Sequence, residues 1–261
     1  MALRNCQTAA AEALGIKETL PAYLDPNLQS KDLPTGAILS LSDQLDLFKE
    51  YIGKLKGVVG EARAKDIIYN SIFLVSAGNN DIAITTSITA RRFEYFPSYA
   101  TELVTWSSTF LNDLYGLGAR RIGVLSTLPV GCLPGGRTVA AGLLEGGCEE
   151  ITNQEAQVFN TKLSSMVDSL ESSLPDAKLV FIDVYNALLD IVQDPQNYGF
   201  QVTRTGCCGT GSFELGVTCN PTTITCSDVS NYVFWDSGHP TEKAYKIIVS
   251  AILHKYLNSF F

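Results

Sequence analysis

Three continuous apolar runs constrain this chain more than any other feature. They are Ser71-Ile72-Phe73-Leu74-Val75-Ser76-Ala77-Gly78, Arg121-Ile122-Gly123-Val124-Leu125-Ser126 and Lys178-Leu179-Val180-Phe181-Ile182-Asp183-Val184. Runs that are apolar at nearly every position, rather than at alternate ones, read as strands buried on both faces of a parallel sheet. The intervals between them carry amphipathic helical patterns, at 99–117 before the second run and 148–174 before the third. Strand–helix–strand repetition of this kind predicts an α/β layer fold with a parallel sheet flanked by helices.

The rest of the chain fits around that core. Ser42 is placed to cap a helix over 42–57, with Leu45, Phe48, Tyr51, Ile52 and Leu55 on one face. A shorter helix is expected over 61–69 after Gly60, and a last one over 241–257 with Ala244, Ile247, Ile248, Ala251, Ile252 and Tyr256 on one side. Near the start, Ala9, Ala10, Ala13 and Leu14 give a short helical pattern that stops at Gly15. Pro21, Pro26, Pro34 and Gly36 make 21–36 an extended loop. There is no internal repeat, low-complexity tract or linker, so residues 1–261 are expected to form a single domain.

Composition narrows the function. An apolar fraction of 46% and a charged fraction of 18% describe a globular chain. A net charge of −8 argues against nucleic acid or an anionic membrane as partner, since both select a basic face. No apolar run reaches the roughly 18 residues of a membrane-spanning helix.

Of seven cysteines, Cys132, Cys148, Cys207, Cys208, Cys219 and Cys226 lie in Gly-, Pro- and Thr-rich loops, where exported proteins place disulfides. Six cysteines allow 15 pairings, and sequence does not choose among them. Metal binding is disfavoured: His239 and His254 are the only imidazoles and no C-x-x-C pair occurs. The adjacent Cys207 and Cys208 are expected to enter separate structural bridges. Met1-Ala2-Leu3-Arg4-Asn5-Cys6-Gln7, however, lacks the apolar core of a secretory signal.

In a parallel sheet, functional residues gather on loops at the carboxyl ends of strands. Gly78-Asn79-Asn80-Asp81 follows the first run, and Pro129-Val130-Gly131-Cys132-Leu133-Pro134 the second. Tyr232-Val233-Phe234-Trp235-Asp236-Ser237-Gly238-His239-Pro240-Thr241 reads as an apolar approach and a tight loop feeding the last helix. Asp236 and His239 on that loop are spaced to meet, the carboxylate orienting the imidazole as in the base half of a hydrolytic triad. The structural alternative is a histidine that helps cap a helix beginning at Pro240. Asn79 and Asn80 are equally good turn formers and oxyanion donors, with Gly78 letting a substrate approach the backbone. Asp183 is either a site residue or a cap.

Taken together, these motifs resemble the plant GDSL esterase/lipase group of the SGNH hydrolases. The matching pieces are Gly78-Asn79-Asn80-Asp81, Leu117-Gly118-Ala119-Arg120-Arg121, Leu128-Pro129-Val130-Gly131-Cys132, Gly206-Cys207-Cys208-Gly209-Thr210-Gly211 and the 232–241 stretch, in the family's order. The resemblance implies a flavodoxin-like three-layer sheet and hydrolysis of carboxylic esters, small-molecule or lipid, without a cofactor. His239 would match the general base, Asp236 its partner, and Asn80 with Gly78 the oxyanion hole. Export is implied as well.

The family's Gly-Asp-Ser nucleophile motif occurs nowhere in these 261 residues, and the Gly-rich second block is absent near Pro34-Thr35-Gly36-Ala37-Ile38-Leu39. Ser42 reads as a helix cap, Ser76 as the interior of a buried strand, and Ser237 as too close to His239 along the chain. None of these, nor Ser40, sits on a sharp strand-to-helix turn. No nucleophile is therefore assigned. The three runs would be the third to fifth strands of a 2-1-3-4-5 sheet, with the first two missing and an open edge. The expectation is an ester hydrolase by lineage with an incomplete site. The alternatives are a non-catalytic lipid- or acyl-binding or interaction protein, or the truncated product of a longer esterase gene.

Overall fold

The computed structural model describes residues 40–88, 92–140 and 147–261. The helix read at 9–14, the extended stretch at 21–36 and Cys6 lie outside the described residues. The described chain falls into two units, one from 40–130, 151–185 and 255–261, the other from 131–150 and 186–254.

The first unit holds the expected sheet. Strands β1 (Ile72–Ser76), β2 (Arg121–Leu125) and β3 (Lys178–Ile182) are parallel and lie in the order β1-β2-β3. Their register pairs Ile72 with Arg121 and Arg121 with Lys178. All three apolar runs are strands, each trimmed at its carboxyl end. Helix α1 (Leu41–Val59) begins two residues earlier than a cap at Ser42 would allow, because Ser40 is its cap. Ser40 Oγ accepts the Asp43 amide and Asp43 Oδ2 accepts the Ser40 amide, a reciprocal capping box. Helix α2 (Glu61–Asn70) lies where the sequence places it. Helix α3 (Asn79–Ile88) follows β1 where the sequence predicts only a turn at Gly78-Asn79-Asn80-Asp81. Helix α4 (Arg92–Gly116) starts well before residue 99, running through Pro97 at the loss of one backbone donor.

Apolar side chains close over the sheet. On one side Phe48 of α1 meets Phe73 edge to face at 5.4 Å. Leu41, Phe110, Leu111 and Leu163 line an apolar cleft with Val75 and Val124. Leu163 comes from α6 (Glu150–Ser173), whose buried Ala156, Phe159, Asn160, Leu163 and Val167 recur at helical spacing. Next to Gly123 stand Leu74, Ile182 and Phe260. The run Leu117-Gly118-Ala119-Arg120-Arg121 is a splice between α4 and β2. Arg120 donates to the Tyr115 and Ala119 carbonyls, lying 4.0 Å over the Tyr115 ring, and Arg121 donates to the Asn70 carbonyl. Its guanidinium groups satisfy helix-end carbonyls, a structural task.

The second unit contains α5 (Pro134–Ala140), the parallel pair β4 (Val202–Gly206) and β5 (Tyr232–Phe234), and most of α8 (Glu242–Tyr256). Helix α7 (Val184–Gln193) begins at Val184, the last residue of the third apolar run. Three disulfides staple the second unit: Cys132–Cys148, Cys207–Cys226 and Cys208–Cys219. The adjacent cysteines do go to separate partners. Loops of this size contribute on the order of 3 kcal/mol each by restricting the unfolded chain.

Candidate active site

Asp236 and His239 are brought together by the way β5 ends. After Phe234 the chain turns so tightly that the Trp235 amide donates to the His239 carbonyl at 2.8 Å, while Phe234 and Pro240 form an antiparallel bridge. Further bonds pin the turn. The Trp235 carbonyl accepts the Cys208 amide, the Ser237 amide donates to the Glu214 carbonyl, and the Ser237 carbonyl accepts the Gly135 amide, each at 2.8 Å. Gly206 is required here, because a Cβ on it would stand 2.8 Å from the Asp236 backbone. Thr241, not His239 or Pro240, caps the following helix: its Oγ1 accepts the Ala244 amide, and α8 starts at Glu242.

Within this turn the Asp236 side chain is fully buried, whereas His239 leaves 46% of its side chain exposed. His239 Nδ1 lies 2.9 Å from both carboxylate oxygens. Oδ1 also accepts the Gly238 and His239 amides, and Oδ2 the Gly216 amide. Burial pushes the Asp236 carboxyl up, but its hydrogen bonds from His239, Gly216 and Gly238 and the His239 charge together hold it below its ordinary value. The hydrogen bond to Asp236 raises His239 above its ordinary value, against partial desolvation. An ionised carboxylate on Nδ1 leaves Nε2 as the nitrogen able to take a proton.

Gly78 and Asn80 lie on the turn from β1 into α3. Gly78 is buried at φ +96°, and a Cβ there would stand 2.7 Å from the Phe159 ring. A backbone that only glycine adopts freely and the packing of Phe159 account for this glycine, without any appeal to substrate approach. The two asparagines divide. Asn79 Oδ1 accepts the Leu128 amide at 2.8 Å, whereas Asn80 is exposed and its amide makes no hydrogen bond among the described residues. The loop after β2 is stitched down similarly. Asn160 Oδ1 accepts the Thr127 amide and hydroxyl, and Ser126 Oγ accepts the Val184 and Tyr185 amides at the start of α7. None of these supporting residues was singled out from sequence, because each acts through a partner more than 30 positions away.

The serines considered as substitutes are also located. Ser40 is engaged with Asp43, and Ser42 Oγ lies 2.8 Å from Ser40 Oγ. Ser237 is buried. Ser76 is exposed, which corrects its reading as a strand interior, because β1 is a sheet edge among the described residues.

An imidazole oriented by a buried carboxylate is an arrangement that occurs in hydrolytic triads. The pattern of the family described as GDSL-like Lipase/Acylhydrolase matches residues 8–252, and the chain belongs to that family of ester hydrolases. It is 48% identical to the GDSL esterase/lipase EXL3 of Arabidopsis thaliana, the match covering 96% of this chain and 74% of that relative. It is 47% identical to the GDSL esterase/lipase At5g42170 of the same plant, over 95% of this chain and 72% of the relative.

Proposed function

We propose that these residues form the base and binding apparatus of a carboxylic ester hydrolase. His239 is the general base, Asp236 its orienting partner, and Asn80 the amide that donates to a developing oxyanion from the Gly78 turn. The observation that carries the reading is the 2.9 Å contact of His239 Nδ1 with a buried, multiply bonded carboxylate. Substrates are small-molecule or lipid esters, the class on which the family acts. Three disulfides and plant relatives support an oxidising, extracellular location. Among the described residues no helix is long and apolar enough to cross a membrane.

The nucleophilic step has no carrier in a sequence without Gly-Asp-Ser. Without an activated serine, what survives is binding plus the contribution of the oxyanion amide, a small part of a full rate. The 261-residue chain is therefore expected to show no serine-dependent turnover of a short p-nitrophenyl ester. Turnover that a fluorophosphonate probe blocks and His239→Ala abolishes would reveal a nucleophile and overturn this. Acyl-ligand binding that persists in His239→Ala supports a binding protein. The relatives extend beyond the matched region, so intact mass of the native protein is the companion measurement. A longer native chain carrying Gly-Asp-Ser restores full esterase function.

A further inference from the structure

The Cys208–Cys219 bridge closes a loop that carries Glu214, Leu215 and Gly216. Two hydrogen bonds join this loop to the Asp236–His239 turn: the Glu214 carbonyl accepts the Ser237 amide, and the Gly216 amide donates to Asp236 Oδ2 at 3.0 Å. The second contact stands apart from the others that Asp236 receives. Both amides on Oδ1, at 2.9 and 2.7 Å, come from within the turn itself. Among the described residues Oδ2 has one donor besides His239, and it comes from a segment 20 residues away along the chain. The terminal torsion of an aspartate is soft and broad. Without the Gly216 amide, Oδ1 would keep its two amides and its 2.9 Å contact with Nδ1, while Oδ2 would be held by Nδ1 alone and free to swing out of that shared contact.

The loop is built to keep that amide in place. The Cys208 amide donates to the Trp235 carbonyl at one end, and the Cys219 amide to the Gly216 carbonyl at the other. Between them the Glu214 carboxylate accepts from Thr210 Oγ1 at 2.7 Å and from the Gly211 amide at 3.2 Å. The geometry points to a positioning role for the Cys208–Cys219 loop: through the Gly216 amide it holds Asp236 in the orientation that aligns His239. The assignment rests on the reading of His239 as the base and makes this disulfide part of the base's support. Asp236 and His239 are the charged groups that face each other. Glu214 turns its carboxylate to Thr210 and Gly211 and is held down to about 2, so it keeps its charge while His239 titrates.

The chain has two histidines, so an NMR titration resolves His239, its signals assigned by their loss in His239→Ala. In a Cys208→Ser/Cys219→Ser variant, which keeps the other two bridges, the His239 pKa is expected to fall by about half a unit or more. Its Nδ1 proton should exchange faster. In the unmodified chain the Gly216 amide signal should shift with the same midpoint as His239. An unmoved His239 pKa in the folded double variant overturns the role. If the double variant does not fold, Glu214→Ala decides, because it loosens the loop from its exposed side and keeps every bridge. A smaller fall is expected there, and no fall overturns the role. Asp236→Asn separates the two readings. If it moves His239 and the loop variants do not, only the positioning role fails; if it also leaves His239 unmoved, the reading of the dyad fails.

Discussion

Asp236 and His239 make one local interaction whose energetics are readable from pH. The folded Asp236 pKa is depressed, so its stabilising contribution is present above the ordinary value near 3.8 and is lost as pH falls through the folded value. The folded His239 pKa is raised, so its contribution is complete below the ordinary value near 6.5 and is lost as pH rises through the folded value. The ion pair therefore stabilises most between about pH 4 and 6.5. Urea unfolding of the unmodified chain against Asp236→Asn across pH is expected to show the largest difference in that window, narrowing on both sides. A difference that is flat from acid to alkaline pH would mean the pair carries no charge-dependent stability. The same raised pKa has a chemical consequence: base action by His239 rises with pH only once the imidazole deprotonates. The pairing itself was legible in the sequence, because three residues on a tight turn leave the two side chains little room to avoid each other. The division of labour between Asn79 and Asn80 was not, because it is set by the Leu128 amide, 49 positions away.

Among the elements, helix α1 shows how a local rule picks the wrong neighbour. Ser40 and Ser42 both precede or open the apolar face, and both are good cap residues. Only Ser40 has the extended backbone of a cap, with Asp43 three residues on to complete the reciprocal pair. Ser40→Ala is expected to cost about 1 kcal/mol in urea unfolding with an unchanged m-value, and Ser42→Ala less than about 0.5 kcal/mol. Equal effects would place the helix start elsewhere. Helix α7 escaped the sequence reading for a different reason. The run 178–184 carries no Gly or Pro break between β3 and Val184, and the signal that starts the helix is Ser126, just past the end of β2. Strands β4 and β5 are similarly short, and their pairing is made possible by the close approach that Gly206 permits.

At the scale of the whole molecule, the feature that bears on association is the edge of the sheet. Among the described residues β1 pairs with β2 alone, and Leu74 is 37% exposed there. An apolar edge with unpaired backbone groups is a template for another strand. Where this edge pairs with a second copy of the chain, sedimentation velocity shows association that grows with protein concentration. Leu74→Lys should move that association to higher concentration in sedimentation velocity, since a lysine on an edge strand opposes edge pairing. Identical sedimentation of the two would show that this edge is not the contact.

The amino-acid sequence by itself determined the α/β class, the three sheet strands, the loop placement of six cysteines and the Asp236–His239 pair. These features rest on period, composition and separations of a few residues, which survive without any knowledge of neighbours in space. Tertiary structure alone decided which of 15 pairings the six cysteines adopt, where α7 begins, which asparagine is left exposed, and which amide steadies Asp236. Each of those depends on a donor, acceptor or sulfur brought in from a distant part of the chain, and the choice among many such partners is made only when the chain packs.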